Sequence, residues 1–368
     1  MMKVRINLKK EIDFSYDVLI ESGLLGKIPK DLKNNPIGNK YAIITDSNVN
    51  RIYGHKIANG MISEGLTVCM LNFQAGEKSK NINIVEYLIN KLIDKGLERN
   101  SAIIALGGGV VGDVAGFVAS IFLRSIPYIQ IPTTLMAQVD SSIGGKTAVD
   151  LSKGKNLIGT FHHPKKVYID PLVLSSLSQR ELQNGLSEII KYGVIYNRGL
   201  FEYLENNVEE INKRNVECIT HIIIKSCQIK SEIVQKDEKE ENLRAILNYG
   251  HTFGHAEEKC GKYETHLHGE AVTIGMNFAG TLAYRLGFWQ KVDLQRQNSL
   301  IKSFNLPIKS NFKSNEILKV MYRDKKVADQ RIMFVFPEKI GKMATSNGKY
   351  KITVPEKELV SLLNEFSS

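Results

Sequence analysis

Residues 101–113 read Ser101-Ala102-Ile103-Ile104-Ala105-Leu106-Gly107-Gly108-Gly109-Val110-Val111-Gly112-Asp113. The first six form an apolar run of strand length, and the glycines break it before a helix-forming stretch. The order strand, glycine turn, helix satisfies GxGxxG. Glycine lets the backbone approach a pyrophosphate, and the N-terminus of the following helix favours its negative charge. Taken alone the motif is weak, because glycine turns also serve close packing.

Working outward, two similar runs precede the turn, residues 41–45 ending at Asp46 and residues 66–73, and one follows at 128–131. Between them lie helical patterns, such as 81–95 with Ile84, Tyr87, Leu88 and Leu92 on one face. This alternation predicts a mostly parallel, twisted sheet covered by helices, with ligands beyond the carboxyl ends of the strands. The strand after the glycines ends in Pro132-Thr133-Thr134, with no acid for ribose hydroxyls. The acids at strand ends are Asp46 and Glu77, the latter in Gly76-Glu77-Lys78-Ser79-Lys80. A bound dinucleotide is therefore read by a variant of the usual arrangement.

From about residue 172 helical periodicity dominates, at 180–195, 217–234 and 270–286, with strand-like pieces only at 333–336 and 350–354. The expected fold is α/β: an N-terminal Rossmann-like parallel-sheet domain over 1–171, then a mainly helical metal-binding domain over 172–368. The linker is placed near Asp170-Pro171.

The 368 residues, 43% hydrophobic and 24% charged, suit a soluble globular chain of two domains. A net charge of +10 raises nucleic acid, membrane surface or anionic small molecules as partners. The lysines are dispersed, runs such as Lys165-Lys166 are short, and no aromatic-and-basic recognition pattern is present. Nucleic acid and membrane are not expected. Four cysteines without CxxC spacing indicate free thiols in a reducing compartment. Residues 1–8 alternate like a strand rather than a signal peptide, so a cytoplasmic protein is expected.

Two further stretches carry chemistry. Residues 138–147 (QVDSSIGGKT), with Gly154-Lys155-Asn156 close behind, set lysines beside glycines, which suits phosphate or carboxylate binding. Gly145-Lys146-Thr147 is similar to the end of a P-loop, but Asp140 stands where the first glycine belongs, so a triphosphate loop is rejected. In residues 248–255 (NYGHTFGH), His251 and His255 share one helical face, and residues 263–270 (YETHLHGE) add His266 and His268. Histidines with one carboxylate and an open position suit a catalytic divalent ion. Spacing leaves the acid open between Glu188, Glu240 and Glu270, and the third histidine open between His266 and His268.

At these motifs the chain resembles 3-dehydroquinate synthase, a family of sugar phosphate cyclases. The likeness runs nearly end to end through GEKSK (76–80), GGGVVGD (107–113), IPTTLMAQVDSSIGGKTAVD (131–150), GLSEIIKYG (185–193), DEKEENLRAILNYGHTFGHA (237–256) and HGEAVTIGM (268–276). The resemblance implies conversion of 3-deoxy-D-arabino-heptulosonate 7-phosphate to 3-dehydroquinate and phosphate, with NAD and one divalent metal, zinc or cobalt. The steps would be transient oxidation, phosphate elimination, reduction, ring opening and aldol closure.

By the same resemblance Glu188, His251 and His268 become the metal ligands, and His255 a proton-handling residue. Asp140, Lys146, Lys191 and Glu240 complete the catalytic set. Asp46, Glu77, Lys80, Gly108, Gly109, Val110, Val111, Gly112, Asp113, Thr133, Thr134, Lys146, Lys155 and Ser176 are implied cofactor contacts. Asn156, Lys230, Arg244, Asn248 and the pair Lys325-Lys326 are implied substrate contacts. Arg124 resembles an arginine that reaches a neighbouring subunit's site, which implies a homodimer. Ser125, Asn242 and Ser176 depart from the family's usual Gly, Gly and Thr. Competing expectations are another sugar phosphate cyclase, such as 2-deoxy-scyllo-inosose synthase, and a metal-dependent polyol dehydrogenase of similar architecture.

Overall fold

The computed structural model describes residues 13–325 and 332–366. Eight strands shape the first half: β1 Asp17–Ile20, β2 Tyr41–Asp46, β3 Val68–Phe73, β4 Ala102–Gly107, β5 Tyr128–Pro132, β6 Lys146–Leu151, β7 Gly154–Phe161 and β8 Lys166–Ile169. Six of them form one parallel sheet in the order β1-β8-β5-β4-β2-β3. Strand runs read from apolar composition coincide with β2, β3, β4 and β5, and β3 begins two residues later than expected, at Val68. Residues 1–8, expected to be strand-like, lie outside the described residues.

Side chains alternate across this sheet. Ala42, Ile44, Ile103 and Ala105 pack against helices Ile82–Asp94 and Gly109–Ile121. Tyr41, Ile43, Ile104 and Leu106 face helices Ile28–Asn34 and His55–Ser63. Both faces are covered, so β4 is buried at all six positions and reads as a continuous apolar run. The chain passes from β2 to the edge strand β3, then returns to the other side of β2 as β4. The strand order reverses there, and the carboxyl ends of β2 and β4 flank the crevice where such sheets bind ligands.

Strands β6 and β7 form a separate antiparallel hairpin within the stretch of lysines beside glycines. It packs on helix Gly109–Ile121, where a Cβ on Gly116 would sit 2.5 Å from Thr147. Asp150 N donates to Lys80 O at 2.8 Å and ties the hairpin to the segment after β3.

Helices dominate beyond Asp170. Ser178 caps helix Gln179–Ile195 by accepting from Glu181 N at 3.2 Å. Helices Val216–Lys236, His251–Cys260 and His268–Arg285 follow. The late strand-like pieces shrink to an antiparallel pair, Met333–Phe334 with Ile352–Thr353. One apolar cluster joins these helices to Val167 and Ile169 of β8, so the second half shares its core with the sheet. All four cysteines are free thiols. No helix among the described residues is long and apolar enough to cross a membrane.

Candidate active site

The crevice is built from loops after the strands. Gly108 caps helix Gly109–Ile121 without a side-chain oxygen, so the first-turn N–H groups stay available to a ligand. A Cβ on Gly108 would lie 3.0 Å from Thr134 Cγ2, and one on Gly109 would lie 3.1 Å from Ser141 Oγ. The glycines thus keep open a narrow cradle between β4 and the loop after β5. Thr133 is buried there, and its Oγ1 has no hydrogen-bond partner. Across the switch point, Asp46 ends β2 and accepts from Asn48 N and Val49 N at 2.8 and 2.9 Å.

Lys80, from the segment after β3, is buried and reaches Asp113 at 2.6 Å and Asn156 Oδ1 at 2.5 Å. Burial alone would lower the Lys80 pKa, but the charges of Asp113 and Glu77 raise it above its ordinary value. Burial pushes the Asp113 carboxyl up against the pull of Lys80. Ser176 lies instead beside Tyr53, whose hydroxyl donates to its Oγ at 2.9 Å.

A second group of residues collects around Asp140. Lys230 Nζ donates to Asp140 Oδ1 at 2.7 Å and to its carbonyl at 2.6 Å, and Tyr192 OH donates to the same Oδ1 at 2.5 Å. Against burial, Lys230 and Lys191 hold the Asp140 carboxyl well below the usual range. Burial lowers the Lys230 ammonium despite Asp140. Lys146, on the hairpin, pairs with Glu240 at 2.5 Å, and Asn248 Nδ2 donates to the other Glu240 oxygen at 2.6 Å. Arg244 donates to the Glu238 carbonyl and reaches Gly144 O at 3.5 Å. Glu240 (φ 64) and Asn156 (φ 56) both hold left-handed backbone, a strain that functional loops often store.

The metal candidates meet between three helices. Glu188 Oε1 lies 3.7 Å from His251 Nε2 and 3.9 Å from His268 Nε2. Ligands each about 2.0–2.2 Å from a shared ion stand roughly 3–4 Å apart, so these spacings fit a divalent ion. Both outer ring nitrogens are engaged: His251 Nδ1 on Tyr249 O at 3.1 Å, and His268 Nδ1 on Glu258 Oε2 at 3.4 Å. Such contacts fix each tautomer and aim Nε2 inward. Glu188 is fully buried and its Oε1 has no hydrogen-bond partner, which an ion would supply. Burial, then the neighbouring charges of Lys191 and His268, pull His251 well below its ordinary pKa.

Long-range contacts occupy the alternative candidates. Glu270 is gripped by both Arg180 Nε and Nη2 at 2.7 Å and accepts from Leu267 N at 2.8 Å. Glu240 belongs to Lys146 and Asn248. His266 turns away, with Nδ1 3.5 Å from Glu257. His255 is exposed on the rim, its ring 5.4 Å from that of His251. His255, Glu258 and His268 form a second group of metal-capable atoms. There Lys155 already neutralises Glu258 at 3.3 Å. Glu258 itself escaped the sequence reading, although it lies on the His251 face two turns on and three residues after His255.

Helices Gln179–Ile195, His251–Cys260 and His268–Arg285 approach closely because glycines sit where they touch. A Cβ on Gly269 would meet Asn184 O at 2.2 Å, and one on Gly275 would meet Gly250 O at 1.9 Å. Arg124 lies past the far end of helix Gly109–Ile121, about 20 Å along it from the glycine turn. Leu123, Arg124 and Ser125 all carry positive φ there. Asn242 needs no glycine: its φ is −152, and its side chain bonds Gly348 O and Tyr350 N. Lys325 ends helix Ser314–Lys325, but its side chain and all of Lys326 lie outside the described residues.

Comparison with known proteins identifies the family. The family model described as 3-dehydroquinate synthase N-terminal matches residues 70–184, and the one described as 3-dehydroquinate synthase C-terminal matches 185–327. A 3-dehydroquinate synthase from Thermodesulfovibrio yellowstonii is 44% identical, covering 99% of this chain and 100% of the relative. One from Prochlorococcus marinus is 47% identical, covering 89% and 92%. Among solved structures, a 2-deoxy-scyllo-inosose synthase complexed with carbaglucose-6-phosphate, NAD+ and Co2+ aligns with TM-score 0.87 at 27% identity, covering 95% and 97%. A 2-epi-5-epi-valiolone synthase from Streptomyces hygroscopicus, with NAD+ and Zn2+ bound, aligns with TM-score 0.88 at 28% identity, covering 99% of both chains. With both family models matched in order and near full-length relatives well above 30% identity, the chain belongs to the 3-dehydroquinate synthase family.

Proposed function

We propose that this protein converts 3-deoxy-D-arabino-heptulosonate 7-phosphate to 3-dehydroquinate and phosphate, as an NAD- and metal-dependent carbon–oxygen lyase of aromatic biosynthesis. The observation that carries the reading is the convergence of His251 and His268 Nε2 on one oxygen of buried Glu188. NAD bound in the cradle at Gly108 and Gly109 would accept and return a hydride, and a zinc or cobalt ion at these three residues would polarise substrate hydroxyls.

The chain's own residues supply the rest. Lys146, Lys191, Lys230 and Arg244 give a substrate bearing both phosphate and carboxylate its counter-charges, and Asn156 and Asn248 add neutral donors. Asp140 fixes Lys230 in place, and Glu240 fixes Lys146. His255, on the open side of the metal group, is placed to pass a proton between substrate and solvent. Asp46 and Glu77 read the dinucleotide's ribose from the ends of β2 and β3, with Lys80, Asp113, Thr133 and Thr134 around the cradle. The chain divides near Asp170-Pro171, and it acts in the cytoplasm as a homodimer in which Arg124 reaches the partner's site.

The test is phosphate release from the heptulosonate phosphate, with and without chelator, beside glucose 6-phosphate. Release from the heptulosonate phosphate that stops on metal removal is expected. Turnover of glucose 6-phosphate alone would place the chain with the inosose synthases, and net NADH accumulation would make it a dehydrogenase. The 44–47% identity to relatives named 3-dehydroquinate synthase, against 27–28% to the two other cyclases, supports the first outcome.

A further inference from the structure

Glu258 on helix His251–Cys260 is 4% exposed. Its Oε2 faces His268 Nδ1 at 3.4 Å, and its Oε1 accepts from Lys155 Nζ at 3.3 Å. Lys155, on β7, also lies 3.1 Å from Glu77 Oε1 and 4.4 Å from the centre of the Tyr263 ring. Contacts therefore run without a break from Glu77 through Lys155, Glu258 and His268 to Glu188. A parallel tie crosses the same gap, Lys78 Nζ to Glu264 Oε1 at 3.1 Å. The loop carrying Tyr263 and Glu264 holds Lys262 and Tyr263 in left-handed backbone, φ 51 and 61. Adjacent non-glycine residues keep that conformation where their surroundings over-determine it.

We propose that Glu258 is a positioning residue that couples the two halves of the site: one oxygen orients His268 toward the metal, the other holds Lys155 at the dinucleotide, and each ligand tightens binding of the other. The inference rests on the reading that a divalent ion and NAD occupy these places. A histidine that donates Nδ1–H to a carboxylate has its Nε2 aimed and made more basic. With its second oxygen anchored by Lys155, Glu258 cannot swing away from His268. A dinucleotide resting on Glu77, Lys80 and β7 orders Lys155, so that order is already in place when the metal enters. By reciprocity the metal strengthens dinucleotide binding by the same factor.

The test uses full-length protein stripped by chelator. Zinc affinity is measured by competition with a chromophoric chelator, and cobalt binding by its d–d absorption, each with no NAD+ and with NAD+ that titration shows to saturate the variant. Wild type is expected to bind zinc at least about fivefold tighter with NAD+. Glu258→Gln should bind zinc about 10–100-fold more weakly, with an altered cobalt spectrum and no NAD+ effect. Lys155→Met should bind zinc more weakly than wild type without NAD+, because Glu258 loses its anchor, and should lose the NAD+ effect. A Glu258→Gln protein with wild-type zinc affinity and an intact NAD+ effect overturns the inference, as does wild type whose zinc affinity ignores NAD+. Failure of the underlying reading looks different: Glu188→Gln would then leave zinc affinity unchanged.

Discussion

Glu188 and Lys191 sit one turn apart on helix Gln179–Ile195, form an ion pair, and are buried to 0% and 2% side-chain exposure. Burying two charges is costly, and their attraction offsets the cost only when the geometry is good. The pair makes sense as two states of one site. Without metal, Lys191 compensates Glu188. An ion held there, as proposed, would take the carboxylate and free the ammonium for substrate.

Lys191→Met should therefore expose that dependence. In chelator the variant is expected to lose about 3–5 kcal/mol of stability, because the buried carboxylate loses its nearest counter-charge. Zinc should restore much of the loss by binding the native state alone. Urea unfolding with and without zinc checks both parts. An equal loss in the two conditions would mean that Lys191 acts in packing rather than in charge.

The Lys230–Asp140 pair separates stability from catalysis. Lys230→Met leaves Asp140 with less compensation and should cost several kcal/mol, of order 3. Replacing both, Lys230→Met with Asp140→Leu, should recover most of that stability while turnover stays at least about a hundredfold down. Recovery of turnover along with stability would remove both residues from the reaction.

The metal-free protein should show a stability window set by Glu258 and His268. Glu258 is depressed to about 2 from 4.5, with the His268 hydrogen bond and charge outweighing burial. A depressed acid stabilises above its unfolded value and loses that contribution as pH falls through the folded one. His268 is raised above 6.5, Glu258 outweighing burial, so its contribution is full below 6.5 and lost as pH rises through the folded value. The pair's contribution should peak between pH 4.5 and 6.5 and decline on both sides. Glu258→Gln should flatten both limbs in unfolding measured across pH in chelator. Zinc affinity should rise with pH as the His268 proton leaves.

How much of this was readable beforehand depended on how local each signal is. The parallel sheet was, because β4 and β2 are buried on both faces and their composition alone marks them. The β6–β7 hairpin was not. In β6 Thr147 and Val149 turn inward and Lys146 and Asp150 outward, but β7 breaks the pattern, with Leu157 and Phe161 exposed. The His251–His255 spacing is local and legible. Choosing Glu188 over Glu270 is not, because Glu270 is claimed by Arg180, ninety positions away in the chain. Glu258 carries a local signal, an acid on the histidine face, which motif spacing alone did not separate from its neighbour Glu257, itself buried against Ser310 and His266.

The strained turn after helix Gly109–Ile121 leads to the last test. Leu123, Arg124 and Ser125 hold φ of 48, 70 and 96, all costly for residues with a Cβ. Leu123 and Ile121 are also exposed, at 39% and 40%. If Arg124 completes a neighbouring subunit's site, Arg124→Ala and Lys191→Met disable different parts of the same composite site. Each variant alone should be inactive. In a mixed dimer one site carries both defects and the other carries neither. Random mixing makes about half the dimers hybrid, so activity should return to roughly a quarter of wild type. Mixing the two after co-refolding, with phosphate release as the readout, measures this directly. Activity that stays at background in verified hybrids would confine Arg124 to its own chain.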